Sequence, residues 1–205
     1  MTLVAATHNA GKLREFRALL GDVAVDLRSL AEFPGAPVVS EGGTTFVANA
    51  RAKAYAIARH TGYPALADDS GLEVDALGGA PGVRAARFAA DGGAGTGDRA
   101  NVELLLQRLQ HVPEPGRTAR FRCAIVIAAP DGRELVAEGA CEGSITTAPR
   151  GGGGFGYDPV FLYGTRTFAE LEPAEKDAVS HRARALAALR PHLLAFLRAA
   201  AGPPR

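Results

Sequence analysis

Leu3-Val4-Ala5-Ala6-Thr7-His8-Asn9-Ala10-Gly11-Lys12 runs four apolar residues into six that are mostly polar or small. The apolar part reads as a short buried strand. Lys12 to Leu20 reads as a helix, because Leu13, Phe16, Leu19 and Leu20 fall on one side of it. A strand feeding a helix through a polar turn opens an α/β chain.

The pattern continues outward. Glu41-Gly42-Gly43 is a loop, Thr44 or Thr45 is placed to cap a helix, and Val47, Ala50, Ala54 and Ile57 share its apolar face. Asn49 and Lys53, four apart, share another face. Ala65-Leu66-Ala67 is a strand expected to end in Asp68-Asp69-Ser70-Gly71. Arg99 to Leu109 is an amphipathic helix. Arg120 to Ala129 begins by alternating and then turns uniformly apolar, and Pro130-Asp131-Gly132 folds it back onto a strand from Glu134 to Ile145. Val160 to Tyr163 is a further strand. Ser180 to Leu197 is a helix, expected to bend or restart at Pro191. The order gives a mixed α/β chain with an antiparallel hairpin inside it. No Pro-rich or charged linker divides it, so a single domain over residues 1–205, with two lobes and a cleft, is expected.

Composition narrows the function. The chain has 205 residues, with 23 Lys and Arg against 22 Asp and Glu, a formal charge of +1. That balance argues against bulk nucleic-acid binding, which normally needs a basic excess. Hydrophobic residues make up 47%, enough for a substantial core. No stretch approaches the roughly 18 apolar residues of a membrane span. The first residues lack a basic n-region, so cytoplasmic residence is expected. Two cysteines, Cys123 and Cys141, are too few for a zinc cluster and read as small buried hydrophobes.

Four segments carry chemistry. Thr7 to Lys12 lies between strand and helix, where free N–H groups and a lysine attract phosphate. It is not a Walker loop, since Leu13 replaces the metal-holding Ser or Thr. An ordinary polar turn fits the same residues. Asp68 and Asp69 repel one another unless a cation relieves them, and in a strand they face opposite sides. A solvated acidic turn is the alternative. Gly151 to Asp158 combines glycines that admit close approach with Phe155, a flat face for a base, or else a core aromatic under a hairpin loop. Lys176 and Ser180-His181-Arg182 put cations at a helix start, against its dipole, which a bound anion would offset. Solvated surface charge fits them equally. His60, His111 and His192 stand apart from other ligand types and read as surface residues.

Taken together these segments resemble the inosine/xanthosine triphosphate pyrophosphatases. Ala6-Thr7, Asn9 and Gly11-Lys12, then Glu41, Thr45-Phe46, Asn49-Ala50 and Lys53, then Ala67 to Leu72, carry the likeness. It continues through Leu77 to Gly82, Gly153 to Pro159 and Ser180-His181-Arg182, spanning nearly the whole chain in order. The resemblance implies an elongated mixed β-sheet flanked by helices, two lobes with a central active-site cleft, and a homodimer. It implies Mg2+-dependent hydrolysis of non-standard purine nucleoside triphosphates (those of inosine, deoxyinosine and xanthosine) to monophosphate and pyrophosphate. Thr7, His8, Asn9, Ala10, Gly11 and Lys12 match its phosphate loop, and Lys53 a further phosphate-facing lysine. Glu41 and Asp69 match its metal ligands, with Asp69 also the proton acceptor. Ser70, Phe155, Gly156, Tyr157, Asp158, Lys176, His181 and Arg182 match its substrate contacts, Phe155 stacking on the base and Arg182 donating to its 6-oxo oxygen. The partner is then a small nucleotide, with no nucleic acid and no membrane. One departure is Val83-Arg84-Ala85-Ala86, where the family often has a Tyr-Ser pair. Two rival readings are a phosphotransferase built on the Thr7–Lys12 loop and a non-catalytic nucleotide-binding module.

Overall fold

The structure, a computed structural model, describes residues 1–200. The last five residues of the expected 1–205 domain lie outside the described residues. In chain order the elements are β1 (Thr2–Ala5), α1 (Ala10–Leu20), β2 (Asp26–Ser29), α2 (Phe46–Thr61), β3 (Ala65–Val74), α3 (Phe88–Asp91) and α4 (Gly97–Arg108). Then come β4 (Thr118–Ala128), β5 (Glu134–Ile145), β6 (Phe161–Tyr163), β7 (Arg166–Thr167), α5 (Pro173–Val179) and α6 (His181–Ala200). The strands form one mixed sheet in the order β2-β1-β3-β4-β5-β6-β7. β1 pairs in parallel with β2 and β3, and β6 pairs antiparallel with β5 and β7.

The described residues fall into two compact units. The first takes Met1–Asp69, Cys123–Gly139 and the described residues from 182 onward. Both faces of its strands are covered, which explains their continuous apolar runs. Leu3, Leu66, Cys123, Ile125 and Ile127 pack on Phe16 and Leu20 of α1 and on Leu186, Leu189 and Leu193 of α6. The alternate residues, Val4, Ala65, Ala67, Val126 and Ala128, pack on Ala50, Ala54 and Ile57 of α2. Period-2 alternation therefore sends odd and even positions of β3 to different helices. The second unit takes Ser70–Arg122 and Ala140–His181. Its core holds Leu72, Val74, Leu105, Phe121, Tyr157, Phe161 and Phe168. Here Arg120 and Arg122 alternate with the core residues of β4 and pair with Glu73, Asp75 and Glu142. The switch from alternating to uniform apolar pattern within β4 marks the passage of the strand from one unit to the other.

Two sequence expectations need correction. Asp68-Asp69-Ser70-Gly71 is no turn: β3 runs straight through it to Val74. Propensity favours a turn there, but strand pairing and the ion pairs described below override it. α6 does not restart at Pro191 and is one helix from His181 to Ala200. Pro191 is exposed, so the carbonyl it leaves unbonded can meet water, while Leu189, Leu193 and Leu197 hold both halves to the same core. β2, β7 and α5 carried too weak a pattern to be foreseen. β2 has a single apolar residue in four, and α5 has seven residues started by a capping box between Glu172 and Glu175.

No helix among the described residues is long and apolar enough to cross a membrane. Cys123 and Cys141 are both buried free thiols, and burial pushes the Cys123 thiol up to about 12. In a titration with an aromatic disulfide reagent at neutral pH, the native protein is expected to expose neither thiol, and the denaturant-unfolded protein both.

Candidate active site

Asn9 starts α1: its side-chain oxygen accepts the Lys12 N–H at 3.0 Å, and Thr7 Oγ1 accepts the Asn9 N–H at 3.1 Å. That cap places Lys12 in the first helical turn. His8, Asn9 and Ala10 are exposed, and Thr7, Gly11 and Lys12 half-buried, so the loop offers its surface to solvent. Thr45 caps α2 by accepting from Ala48 N–H at 3.1 Å, and Gly62 ends it at φ +73°. The helix between them carries Asn49 and Lys53 on the face turned to Asp69.

Asp68 is 2% exposed, on the α1 and α6 side of β3. Its Oδ2 lies 3.0 Å from Lys12 Nζ and 2.8 Å from Arg182 Nη2, and Arg182 Nη1 donates to Glu15, itself buried. Two carboxylates and two cations thus balance one another inside the first unit. This pair of carboxylates is also the anion that the first-turn cation of α6 needs. Burial alone would push Asp68 up, but Lys12, Arg182 and Lys53 overcome it and hold its carboxyl far below the usual range.

Asp69, 4% exposed, sits on the α2 side. Asn49 Nδ2 donates to its Oδ2 at 2.9 Å, and Lys53 Nζ stands 3.7 Å from Oδ1. The same ammonium donates to Glu41 Oε1 at 2.5 Å. Glu41 and Asp69, 28 residues apart in sequence by their numbers, therefore flank a single cation. The separation of their oxygens is bounded by those two distances laid end to end, well under a nanometre. For Asp69, burial outweighs Lys53 and Asn49 and, with Glu41 adding repulsion, raises the carboxyl pKa. For Lys53, burial opposes the charge, but Asp68, Asp69 and Glu41 prevail and raise it. The two neighbouring carboxylates are thus pushed in opposite directions, Asp68 toward a fixed charge and Asp69 toward a higher proton affinity.

In the second unit, Phe155 and Gly156 are half-buried, and Tyr157 and Asp158 buried. Asp158 Oδ2 accepts the Phe155 N–H at 2.9 Å and Lys176 Nζ at 2.5 Å. Gly154 has φ +73°, and a Cβ there would stand 2.0 Å from Asp158 Oδ2, so only glycine fits. Lys176, 6% exposed, places Nζ 4.7 Å from the Phe155 ring centroid. Gly156 N–H donates to Asp98 at 2.7 Å, and the Tyr157 hydroxyl donates to Ala85 O at 2.8 Å. Tyr157 thus steadies the segment that departs from the family pattern. His181 is buried and stacks on Phe121 with centroids 4.8 Å apart. Ser70 lies half-buried in mid-β3. Arg182, expected to donate to a purine oxygen, donates from Nη1 to Glu15 and from Nη2 to Asp68.

Residues 3–192 match the Ham1 family. The chain belongs to the Ham1 family. It is 52% identical over 189 residues to the dITP/XTP pyrophosphatase of Geobacillus kaustophilus, covering 91% of each chain. It is 53% identical over 188 residues to that of Desulforamulus reducens, covering 91% of this chain and 92% of the other. The solved structure of a HAM1 protein from Coxiella burnetii superposes with a TM-score of 0.84 at 41% identity, covering 95% of this chain and 98% of that one. The mixed α/β sheet is thus the Ham1 fold.

Sequence reasoning passed over Glu15 and Asp98. Glu15 adjoins Phe16 within the apolar side of α1, and a carboxylate set among core residues was the available signal. Asp98 gave none. The opposed environments of the two aspartates make a measurable contrast. In urea unfolding, Asp68→Asn is expected to lose about 3 kcal/mol, since it strands two buried cations. Asp69→Asn is expected to stay within about 1 kcal/mol of the parent, because Asn49 keeps an acceptor and Lys53 keeps Glu41.

Proposed function

We propose that this chain hydrolyses the triphosphates of inosine, deoxyinosine and xanthosine, non-standard purine nucleotides, to the monophosphate and pyrophosphate. In this reading Mg2+ is the metal, the two units act as one catalytic domain, and the enzyme is a cytoplasmic homodimer without nucleic-acid or membrane partners. The observation that carries the reading is the pairing of Asp69 and Glu41 around one cation while Asp68, next in the strand, stays bound to Lys12. The names of the relatives above point the same way.

Glu41 and Asp69 supply hard oxygen donors, and the Lys53 ammonium stands where a cation is wanted. Among the described residues no third His, Cys, Asp or Glu joins them. Magnesium suits such a site, since it usually takes one or two carboxylates and leaves its other positions to water and substrate phosphates. When bound, it supplies charge neutralisation on the phosphates. Lys12 keeps Asp68 with one of its three N–H donors and offers the others, with the open Thr7–Gly11 loop, to the phosphate tail. Asp69 accepts the proton of the water whose oxygen bonds to the α-phosphorus. The bond from that phosphorus to the α,β-bridging oxygen breaks, and pyrophosphate carries away the electron pair. The raised proton affinity of Asp69 suits it to this role.

Phe155 offers its ring to the purine, backed by Asp158 on its N–H. Lys176, beside that ring, takes the role first expected of Arg182: it donates to the 6-oxo oxygen of hypoxanthine or xanthine. Adenine presents an amino donor there, which meets the ammonium donor to donor, and this disfavours it. Ser70, Gly156, Tyr157 and His181 complete the substrate side as supports of this loop and strand.

A turnover panel of ribo- and deoxynucleoside triphosphates tests the reading. Pyrophosphate release is expected from the inosine and xanthosine forms, and little from adenosine. Diphosphate with orthophosphate would replace it by the phosphotransferase reading. Asp69→Asn is expected to abolish nearly all turnover while nucleotide still binds; binding without turnover in the parent as well would leave a binding module. Phe155→Ala is expected to weaken substrate binding by about 1–3 kcal/mol, read as a raised KM.

A further inference from the structure

The geometry points to Asn49 as a positioning residue that locks the Asp69 carboxylate and the Glu41 loop into one register, so that the metal site exists before any ligand arrives. This rests on the functional reading above for its catalytic consequence, but not for its structural one.

Asn49 is 2% exposed and sits one helical turn before Lys53. Both ends of its amide are engaged. Nδ2 donates to Asp69 Oδ2 at 2.9 Å, and Oδ1 accepts the Gly43 N–H at 2.8 Å. The partners fix which way the amide faces: an N–H must meet the oxygen, and an ionised carboxylate must meet the nitrogen. Gly43 lies two residues beyond Glu41. A Cβ on Gly43 would stand 2.6 Å from Asn49 Oδ1 and 3.1 Å from Ala48 Cβ, so glycine is needed for the loop to come this close. Lys53 makes the parallel link, from Glu41 to Asp69. The two links differ in kind. Lys53 is a cation on a flexible stem, and an arriving divalent ion competes with it for the same two carboxylates. Asn49 is neutral and short, holds Oδ2 and leaves the Oδ1 edge of Asp69 toward Glu41. It therefore survives metal entry and carries the geometry through it. Hydrogen-bond partners behind metal ligands typically change affinity or activity by about 10–100-fold when removed.

The test measures Mn2+ binding without nucleotide, by the electron paramagnetic resonance signal of the free ion, alongside steady-state kinetics with inosine triphosphate. Asn49→Ala is expected to weaken Mn2+ binding and lower kcat by about 10–100-fold each, with KM within about two-fold since the phosphate and base contacts are untouched. Gly43→Ala, which spares both side chains but forces the loop off Asn49, is expected to shift both readouts the same way by less. Asn101→Ala serves as the control: that asparagine is equally buried, bonds Ala89 N and Ala86 O in the other unit, and is expected to lower Tm without changing Mn2+ affinity. A folded Asn49→Ala protein with parental Mn2+ affinity and kcat overturns the inference, as does a loss no larger than that of Asn101→Ala. If Asn49→Ala fails to fold, unchanged Mn2+ affinity in Gly43→Ala overturns it; so does a parent that binds no Mn2+. A parent that binds Mn2+ yet releases no pyrophosphate overturns the functional reading alone, and the Mn2+ series still decides the role of Asn49.

Discussion

Two carboxylates in consecutive positions of a buried strand cannot both stay ionised unless each face of the strand supplies its own cation. β3 meets that constraint with helices. α1 and α6 bring Lys12 and Arg182 to Asp68, and α2 brings Lys53 and Asn49 to Asp69. The pleat then makes neighbouring residues chemically unlike: one is an anion held at the centre of an internal charge network, the other a carboxylate of raised proton affinity beside a second carboxylate. The packing of the first unit follows from it as well, since Leu66 with Asp68 and Ala67 with Asp69 must each find their own helix.

The charge network of Asp68 does two jobs at once. Its partner Arg182 opens α6, where an unbalanced cation would oppose the helix dipole, and Glu15 and Asp68 remove that opposition. Lys12 lies in the first turn of α1 under the Asn9 cap, so the same carboxylate steadies the lysine that closes the Thr7–Lys12 loop. A buried charge cluster of this kind stabilises little in itself, because desolvation consumes most of the attraction. Its value lies in register: α1, α6 and β3 cannot slide without stranding a charge.

The second unit solves a smaller problem with similar means. Asp158 joins the Phe155 backbone to the Lys176 ammonium, and glycine at position 154 leaves the space its carboxylate occupies. A half-buried aromatic is thereby set on a rigid turn instead of a floppy glycine run. The lysine beside the ring supplies a donor, and Asp98 and Ala85 tie down the two residues that follow Phe155. Affinity for a flat ring requires such ordering beforehand, since loop entropy lost on binding would otherwise offset the stacking.

Periodicity alone made β1, α1, α2, α4, β4, β5 and most of α6 legible, because each buries one face or both and the apolar spacing records which. Motif order, with its glycines and capping residues, likewise singled out the Thr7–Lys12 loop, the two aspartates and the aromatic loop as candidates. The local sequence misjudged the residues whose conformation depends on distant partners. Asp68 to Gly71 has turn composition, yet it is strand because charges from three helices converge on it. Arg182 reads as a lone first-turn cation, yet its guanidinium meets Glu15 and Asp68 from far along the chain. Asn49 was visible only as a neighbour of Lys53, and its two hydrogen bonds join positions 43 and 69. Residue order therefore determined the fold and the inventory of reactive groups. Only the tertiary structure decided which partners and which environment each group meets, because a carboxylate's proton affinity and a side chain's hydrogen bonds are set by what is brought to it through space.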